Sequence, residues 1–598
     1  MKVLGLSCFY HDSAVALIEN GEVIAAAQEE RFSRKKHDPG FPFNALTWVL
    51  GHRGVEINEI DAIVYYENSK KKLIRIKETY LYSWPRNFKT YTESMESQAK
   101  KQGFEKILRE VYGYEGRCVE NEHHLSHASS AFYPSPFDEA AILTMDGVGE
   151  WDTTTFGIGN KTRLSLTDSI VYPDSVGLLY SVITSYCGFK VNSGEYKLMG
   201  LAPYGEAVYS DLMKNKMIDI QNDGSYTLNR DIFGWFESPT SVMAALENVF
   251  GHKRRKQEDE LSKFYADVAA SIQNIIEEVV LKTAYHIKRE TGKNNLCMAG
   301  GVALNCVANG KLVRERIFDR VWIQPAAGDS GTALGAALHF YYENSDPKER
   351  CAQEFSPYLG PSYENEEIEA SLVAIGANFK KDKHIIKTTA KYLTEGVVVG
   401  WFQGALEFGP RALGNRSILA DPRSEEMQKK LNLKIKFRES FRPFAPSVLE
   451  EDVSEWFEIE QDSPYMLLVA DVSPSKRLEL NNYVEDLHGF EKLNIKTTEI
   501  PAVTHVDCSA RVQTVSSNRN KKYYDLIKEF KLLTGCPVIV NTSFNVRGEP
   551  IVTTPEDAYR CFMRTNMDCL VIGDYVLLKE NQPSYEELLD WENEFELD

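Results

Sequence analysis

Across 598 residues the sequence holds no Cys-x-x-Cys pair. Its ten cysteines, at 8, 118, 187, 297, 306, 351, 508, 536, 561 and 569, stand apart, which suits reduced thiols and excludes a disulfide framework or a zinc ribbon. No run of about 18 consecutive apolar residues occurs, so no transmembrane helix is expected. No charged, apolar and small-residue leader precedes the first strand-like run, Val3-Leu4-Gly5-Leu6-Ser7, and the expectation is a cytoplasmic protein without a signal peptide. Basic residues are in deficit, 68 Lys and Arg against 87 Asp and Glu, for a net charge of −19. That balance argues against a nucleic-acid partner and against an anionic membrane, and leaves room for a local basic pocket.

The remaining composition is that of an ordinary globular protein, 43% apolar and 11% aromatic. At about 150 residues per domain the length suggests about four domains, and one or two large α/β domains also fit. Residues 3–7, 14–19 and 23–27 read as a three-strand meander turning at Asn20-Gly21. A further strand is expected at 60–66, a mainly helical stretch at 69–116, and a second meander at 140–145, 153–158 and 164–172. Leu261, Tyr265, Val268, Ile272, Ile275 and Val279 recur at three- and four-residue steps, predicting a long amphipathic helix over 258–289. Strands follow at 296–298 and 321–324, with a helix expected to begin near Ala303. Two meanders with interposed helices predict a duplicated α/β domain. Residues 345–365 read as a linker, placing a domain boundary near 350–385. The acidic stretch from Ser584 reads as a surface helix or frayed tail.

Four groups of residues carry chemistry. His123 and His127, spaced i, i+4, share one face of a helix, a usual arrangement for two imidazoles on one metal. Asp146 and Asp329 follow apolar strands, where ligands bind in an open α/β sheet. Two His with one or two Asp suit Fe(II), Mn(II) or Zn(II). Glycine turns at Gly147, Gly200 and Gly300-Gly301 bring backbone N–H groups up to an anion and point to a nucleotide cleft. His11, in the first turn beside Asp12, is placed to act as a general base. Finally, residues 408–446 pack Arg and Lys between Gly, Pro and Phe, which reads as a phosphate pocket. Asn541-Thr542-Ser543-Phe544-Asn545 offers hydroxyls and amides to a triphosphate or its metal.

Taken together, Phe9-Tyr10-His11-Asp12-Ser13-Ala14, Gln28-Glu29-Glu30-Arg31-Phe32-Ser33-Arg34-Lys35-Lys36-His37, His123-His124-Leu125-Ser126-His127-Ala128, Tyr196-Lys197-Leu198-Met199-Gly200-Leu201-Ala202-Pro203, Ala299-Gly300-Gly301-Val302-Ala303-Leu304-Asn305, Gln324-Pro325-Ala326-Ala327-Gly328-Asp329, Gly409-Pro410-Arg411-Ala412-Leu413-Gly414 and Asn541-Thr542-Ser543-Phe544-Asn545 resemble the O-carbamoyltransferase family of the nodulation-protein and cephem type. The resemblance runs nearly end to end. It implies an N-terminal domain over 1–355 with the duplicated actin-like ATPase superfold (ASKHA-like) and a C-terminal YrdC-like α/β domain over 385–598. It implies that the second domain makes carbamoyl-adenylate from ATP and carbamoyl phosphate. The first would then pass the carbamoyl group to a hydroxyl of a small-molecule acceptor.

By the same resemblance His123, His127, Asp146 and Asp329 are metal ligands, with Fe2+ expected first, Mn2+ or Zn2+ as alternatives, and Mg2+ accompanying ATP. His11 matches the base beside the acceptor. Asp12, Gly147, Lys197, Gly200, Gly300, Gly301 and Asn305 lie in loops expected around the adenylate. Lys436 and Arg438 match a phosphate-binding K-x-R element, and Arg411, Arg511, Ser543 and Asn545 fall where carbamoyl phosphate or ATP is held. Segments 69–116 and 206–257 are the candidates for acceptor-facing variation, and a homodimer is the default expectation. A sugar kinase or ATPase of the same superfold would explain the glycine turns but not the histidine pair or the basic cluster. An ATP-gated binding module of the actin kind would need no carbamoyl phosphate. A tRNA-threonylcarbamoylating enzyme is disfavoured by the acidic balance.

Overall fold

The computed structural model describes the chain except for residues 82–83, 85–86, 102, 235, 237, 258, 346, 348, 351–354, 439–440, 480–486, 488, 585–593 and 596–598. Most of the acidic stretch from Ser584 therefore lies outside the described residues. The chain divides into two compact units. The first comprises Met1–Ser33 and His37–Phe355; the second comprises Ser356–Asp598 together with Arg34–Lys36.

The first unit is built twice on one plan. Strands β1 (Lys2–Ser7), β2 (Ala14–Glu19), β3 (Glu22–Gln28), β4 (Ala62–Tyr65) and β5 (Arg117–Glu120) form one sheet in the order β3-β2-β1-β4-β5. Strands β6 (Glu139–Met145), β7 (Asp152–Asn160) and β8 (Arg163–Val171) begin the second half, and a small hairpin, β9 (Ile218–Ile220) with β10 (Tyr226–Leu228), follows. With β11 (Asn295–Ala299) and β12 (Arg320–Ile323) they give the order β12-β11-β6-β7-β8. In each sheet an antiparallel meander is extended by two parallel strands, β4 and β5 beside β1, and β11 and β12 beside β6. This repeated 3-2-1-4-5 order is the actin-like architecture. The central strands β1, β4, β6 and β11 are buried apolar runs, as strands covered on both faces must be, whereas the edge strands β5 and β12 are partly exposed.

Two glycines let the layers close. The helix Asp329–Ser345 lies across β1, where a Cβ on Gly5 would stand 1.7 Å from the Ala333 carbonyl oxygen. Against the helix His123–Phe132, a Cβ on Gly335 would stand 1.8 Å from the Ser126 carbonyl oxygen. The long amphipathic helix runs over Lys263–Thr291, starting five residues later than its periodicity suggests. The turn after β11 is a short 3-10 segment, Gly301–Leu304, and the helix proper, Cys306–Arg314, begins where the Asn305 side chain accepts from the Ala308 N–H at 3.0 Å. Hence the helix starts three residues beyond the expected Ala303, because its cap sits there.

The second unit carries one mixed sheet. Its strands are β13 (Lys380–Lys381), β14 (Val399–Phe402), β15 (Arg416–Ala420), β16 (Ala445–Leu449), β17 (Leu468–Asp471), β18 (Ser509–Val515), β19 (Val538–Ser543), β20 (Cys569–Ile572) and β21 (Tyr575–Leu578). Among the described residues their order is β13-β21-β20-β14-β15-β19-β16-β18-β17. Residues 356–384, read as linker or boundary from sequence, contribute the capped helix Asn365–Ala374 to this unit, where Asn365 bonds Asp574 at 2.8 Å. No helix among the described residues is long and apolar enough to cross a membrane.

Candidate functional site

In the first unit the chemistry-bearing residues gather at the C-terminal ends of parallel strands. β5 leads into the helix His123–Phe132, β6 ends at Asp146, β12 leads into Asp329, and β1 leads into the turn bearing His11. Glu150 fixes the start of the histidine helix, its two oxygens accepting from the His123 N–H at 3.1 and 3.2 Å, a carboxylate at the positive end of the helix. One turn apart, His123 and His127 bring their Nε2 atoms to 3.1 Å. His123 Nε2 lies 3.1 Å from Asp146 Oδ2 and 3.7 Å from Asp329 Oδ1, and His127 Nε2 lies 3.6 Å from Asp329 Oδ1.

One donor atom from each of His123, His127, Asp146 and Asp329 falls within 4.8 Å of all the others. Such a set suits a divalent metal, and the neighbouring His124 is not part of it. His124 bonds Thr144 Oγ1 at 2.7 Å, and burial, aided by the two other imidazoles, pulls its pKa down to about 3. Burial alone would raise Asp146, but the hydrogen bond from His123 and the charge of His127 hold it well below the usual carboxylate range.

His11 faces this cluster, with Nδ1 2.9 Å from Asp12 Oδ2 and Nε2 3.7 Å from Asp329 Oδ2. Burial opposes its protonation, yet Asp329 and Asp12 outweigh burial and push its pKa up to about 9. Asp12 also accepts from or bonds His37 Nδ1 at 2.8 Å, so one carboxylate orients two imidazoles. In the sequence His37 stands only as the last residue of a family motif, with no role of its own, because 25 residues separate it from Asp12.

Two of the three expected glycine turns, at Gly147 and Gly300-Gly301, meet the same cluster. Gly300 has φ +92° and ψ 157°, and a Cβ there would stand 2.2 Å from the Met145 carbonyl oxygen. This lets the next N–H, of Gly301, donate to Asp146 Oδ1 at 2.8 Å. The Gly147 carbonyl accepts from Ser175 Oγ at 2.6 Å. Gly200, expected in a glycine turn, instead lies with the fully buried Lys197 inside the helix Glu195–Leu201, where its backbone is part of the helix. Besides its capping bond, Asn305 exchanges two amide hydrogen bonds with Gln273, at 3.0 and 3.1 Å, so much of its side chain serves the scaffold.

In the second unit Lys436, Ser543 and Asn545 converge. The ammonium of Lys436 donates to the Ser543 carbonyl oxygen, to the Asn545 carbonyl oxygen at 2.9 Å and to Asn545 Oδ1 at 2.8 Å. Ser543 Oγ donates to Asn545 Oδ1 at 2.6 Å. Burial, with Arg438 adding repulsion, brings Lys436 down to about 7. Arg438 lies over the Phe444 ring at 4.6 Å and donates to Asn432 Oδ1 at 2.7 Å.

Glu407 shapes the loop that bears Arg411, its Oε1 accepting from the N–H groups of Leu413 and Asn415 at 2.7 and 2.9 Å. Gln513 on β18 donates to the Leu413 carbonyl at 2.9 Å, and Asn541 on β19 bonds Gln513 at 2.8 Å. Arg511 stands two residues before Gln513, on the same face of β18. Not all of the basic cluster is available to a ligand. Arg416 is fully buried, donating to backbone carbonyls of Gln403 and Pro361 at 2.6 and 3.0 Å, and Arg423 is paired to Asp421 at 2.6 Å. Arg34, which sequence reasoning left without a role, packs into this unit, donating to Glu549 Oε1 at 2.9 Å and to the Ile551 carbonyl at 2.7 Å.

Residues 2–338 match the Carbamoyltransferase N-terminus family and residues 390–579 the Carbamoyltransferase C-terminus family. The chain belongs to the carbamoyltransferase family, and is an enzyme of the transferase class. It is 51% identical to an uncharacterized protein of Synechocystis, over the whole of both chains. It is 37% identical to the nodulation protein NolNO of Sinorhizobium fredii, over 96% of this chain and 79% of that one. The nodulation protein NolO of Bradyrhizobium diazoefficiens is 38% identical over 78% of this chain and 80% of its own. Among solved structures, HypF of T. kodakarensis aligns with 58% of this chain and 48% of its own, at 14% identity and a TM-score of 0.30.

Proposed function

We propose that the chain is an ATP-dependent O-carbamoyltransferase with two reaction sites. The observation that carries this reading is the convergence of His123, His127, Asp146 and Asp329 beside His11 in a chain of this family. The second unit, acting as a YrdC-like domain, converts carbamoyl phosphate, ATP and one water to carbamoyl-adenylate, phosphate and pyrophosphate. Lys436, Arg438, Arg411 and Arg511 supply positive charge to the phosphates, and Ser543 and Asn545 orient them.

In the first unit an acceptor hydroxyl attacks the carbamoyl carbon, AMP leaves, and the hydroxyl proton is taken up at His11. A divalent metal held by the four His and Asp donors would polarise the adenylate. It would also take up the Asp329 charge that otherwise keeps His11 protonated. The Gly147 N–H would face the negative charge that develops on AMP, whereas the N–H groups of Gly300 and Gly301 are engaged by the Ala327 carbonyl and Asp146, and Asp12 holds the His11 ring in place. The acceptor is a small molecule with a free hydroxyl, and the setting is cytoplasmic.

The experiment that tests this incubates the protein with ATP, carbamoyl phosphate and labelled pyrophosphate. Label enters ATP only when carbamoyl phosphate is present. Exchange that ignores carbamoyl phosphate, or no exchange, defeats the adenylation step and returns the kinase or ATPase reading.

A further inference from the structure

The helix Ser69–Leu81 falls in the stretch 69–116 expected to be mainly helical, and on it Ser69, Lys72, Arg75 and Thr79, one stripe at helical spacing, are buried. Two cations out of water on one helix require acceptors. Lys72 has one, Glu67 Oε2 at 2.5 Å, so that pair carries no net charge. Arg75 has none. It is 8% exposed, its guanidinium lies 4.9 Å from the centroid of the Tyr172 ring, and its Nη1 is shielded from solvent with no hydrogen-bond partner. Among the described residues no carboxylate stands within ion-pair distance of it. Glu150, the other acid whose charge reaches it, is engaged by the His123 and Asn68 N–H groups.

The position of Arg75 relates it to the reacting centre. The Lys72 ammonium lies 5.0 Å from the Tyr10 ring centroid and Arg75 follows one turn later on the same helix, while the charges of Arg75, Asp329 and Asp146 also reach the Tyr10 hydroxyl. The Tyr10 ring is 4.5 Å from the His11 ring and 48% exposed, so the region in front of both is open to a ligand. A buried guanidinium with unused donors beside an open polar region is a receptor awaiting an anion. We propose that Arg75 is a specificity-determining residue that binds a carboxylate or phosphate group of the acceptor, while the acceptor hydroxyl is presented to His11. This rests on the proposed function in placing the acceptor beside His11, and adds that the acceptor is anionic.

The test is calorimetric titration of the full-length protein carrying Lys436→Ala, which removes the anion cradle of the second unit. Glucuronate is compared with glucose, and glucose 6-phosphate with glucose, so that the two arms separate carboxylate from phosphate. In at least one arm the anion binds about 10- to 100-fold more tightly, the factor carried by one charge-assisted hydrogen bond. Adding Arg75→Met, which keeps the stem against Tyr172 and deletes the charge, erases that preference, and Arg75→Lys restores part of it. Circular dichroism checks the fold of each variant, and the Lys variant carries the test if the Met variant is unfolded. Equal binding of anion and neutral sugar in both arms, or a preference untouched by Arg75→Met, overturns the proposal. Failure of carbamoyl-phosphate-dependent exchange overturns the proposed function instead, because the binding measurement uses neither ATP nor carbamoyl phosphate.

Discussion

Burial within a ring of carbonyl oxygens, with Arg438 adding repulsion, leaves Lys436 with a pKa near 7 in the folded protein. In the unfolded chain a lysine titrates near 10.4. Between those values the unfolded chain holds a proton that the folded chain has released, so stability rises with pH across this window; below about 7 the full penalty remains. Lys436→Met should remove that rise, which urea unfolding of both proteins at pH 7.5, 8.5 and 9.5 would show as a widening difference in favour of wild type. An anion bound at Lys436 stabilises its charged form, so phosphate binding at pH 8 should take up a proton, seen as a binding enthalpy that depends on buffer ionisation. At the other site the donor set is shared among four side chains. His127→Ala should lower metal content by elemental analysis, and unchanged content would remove His127 from the ligand set.

At the scale of elements, the turn after β11 shows how backbone conformation serves the site. At φ +92° and ψ 157° Gly300 occupies a region essentially restricted to glycine. Gly300→Ala should cost about 1–3 kcal/mol in chemical unfolding and displace the Gly301 N–H from Asp146. Gly335 acts through packing: any Cβ there would strike the backbone of the helix that carries His123 and His127. Gly335→Ala should therefore lower metal content without touching a donor, and retention of full content would show that the helix can shift without moving its histidines.

For the whole molecule, the proposed function assigns separable reactions to the two units. His11→Asn should keep carbamoyl-phosphate-dependent pyrophosphate exchange and abolish transfer to an acceptor, whereas Ser543→Ala should lose both. Loss of exchange in His11→Asn would end the two-site division. The net charge of −19 also has a local meaning at this scale. The cations proposed to meet ligands, Lys436, Arg438, Arg411, Arg511 and Arg75, stand at buried or half-buried positions, and several cations of the basic stretch 408–446 are spent on the scaffold, as Arg416 and Arg423 show.

The sequence by itself determined the local elements and the chemical vocabulary. Apolar runs and turn residues place β1 to β3 within a residue or two, because the length of an apolar run and a hairpin Asn-Gly are local properties. The spacing of His123 and His127 is equally local, since one helical turn sets their separation. Convergence was decided by tertiary structure. Asp146 and Asp329 are 183 residues apart in numbering yet share a donor cluster, because β6 and β12 end at the same edge of one sheet. The roles of Arg75 and Arg416 were likewise decided there. In sequence each is one cation among several; only packing, which removes solvent and either supplies carbonyl acceptors or withholds them, makes one a scaffold residue and leaves the other in need of an anion.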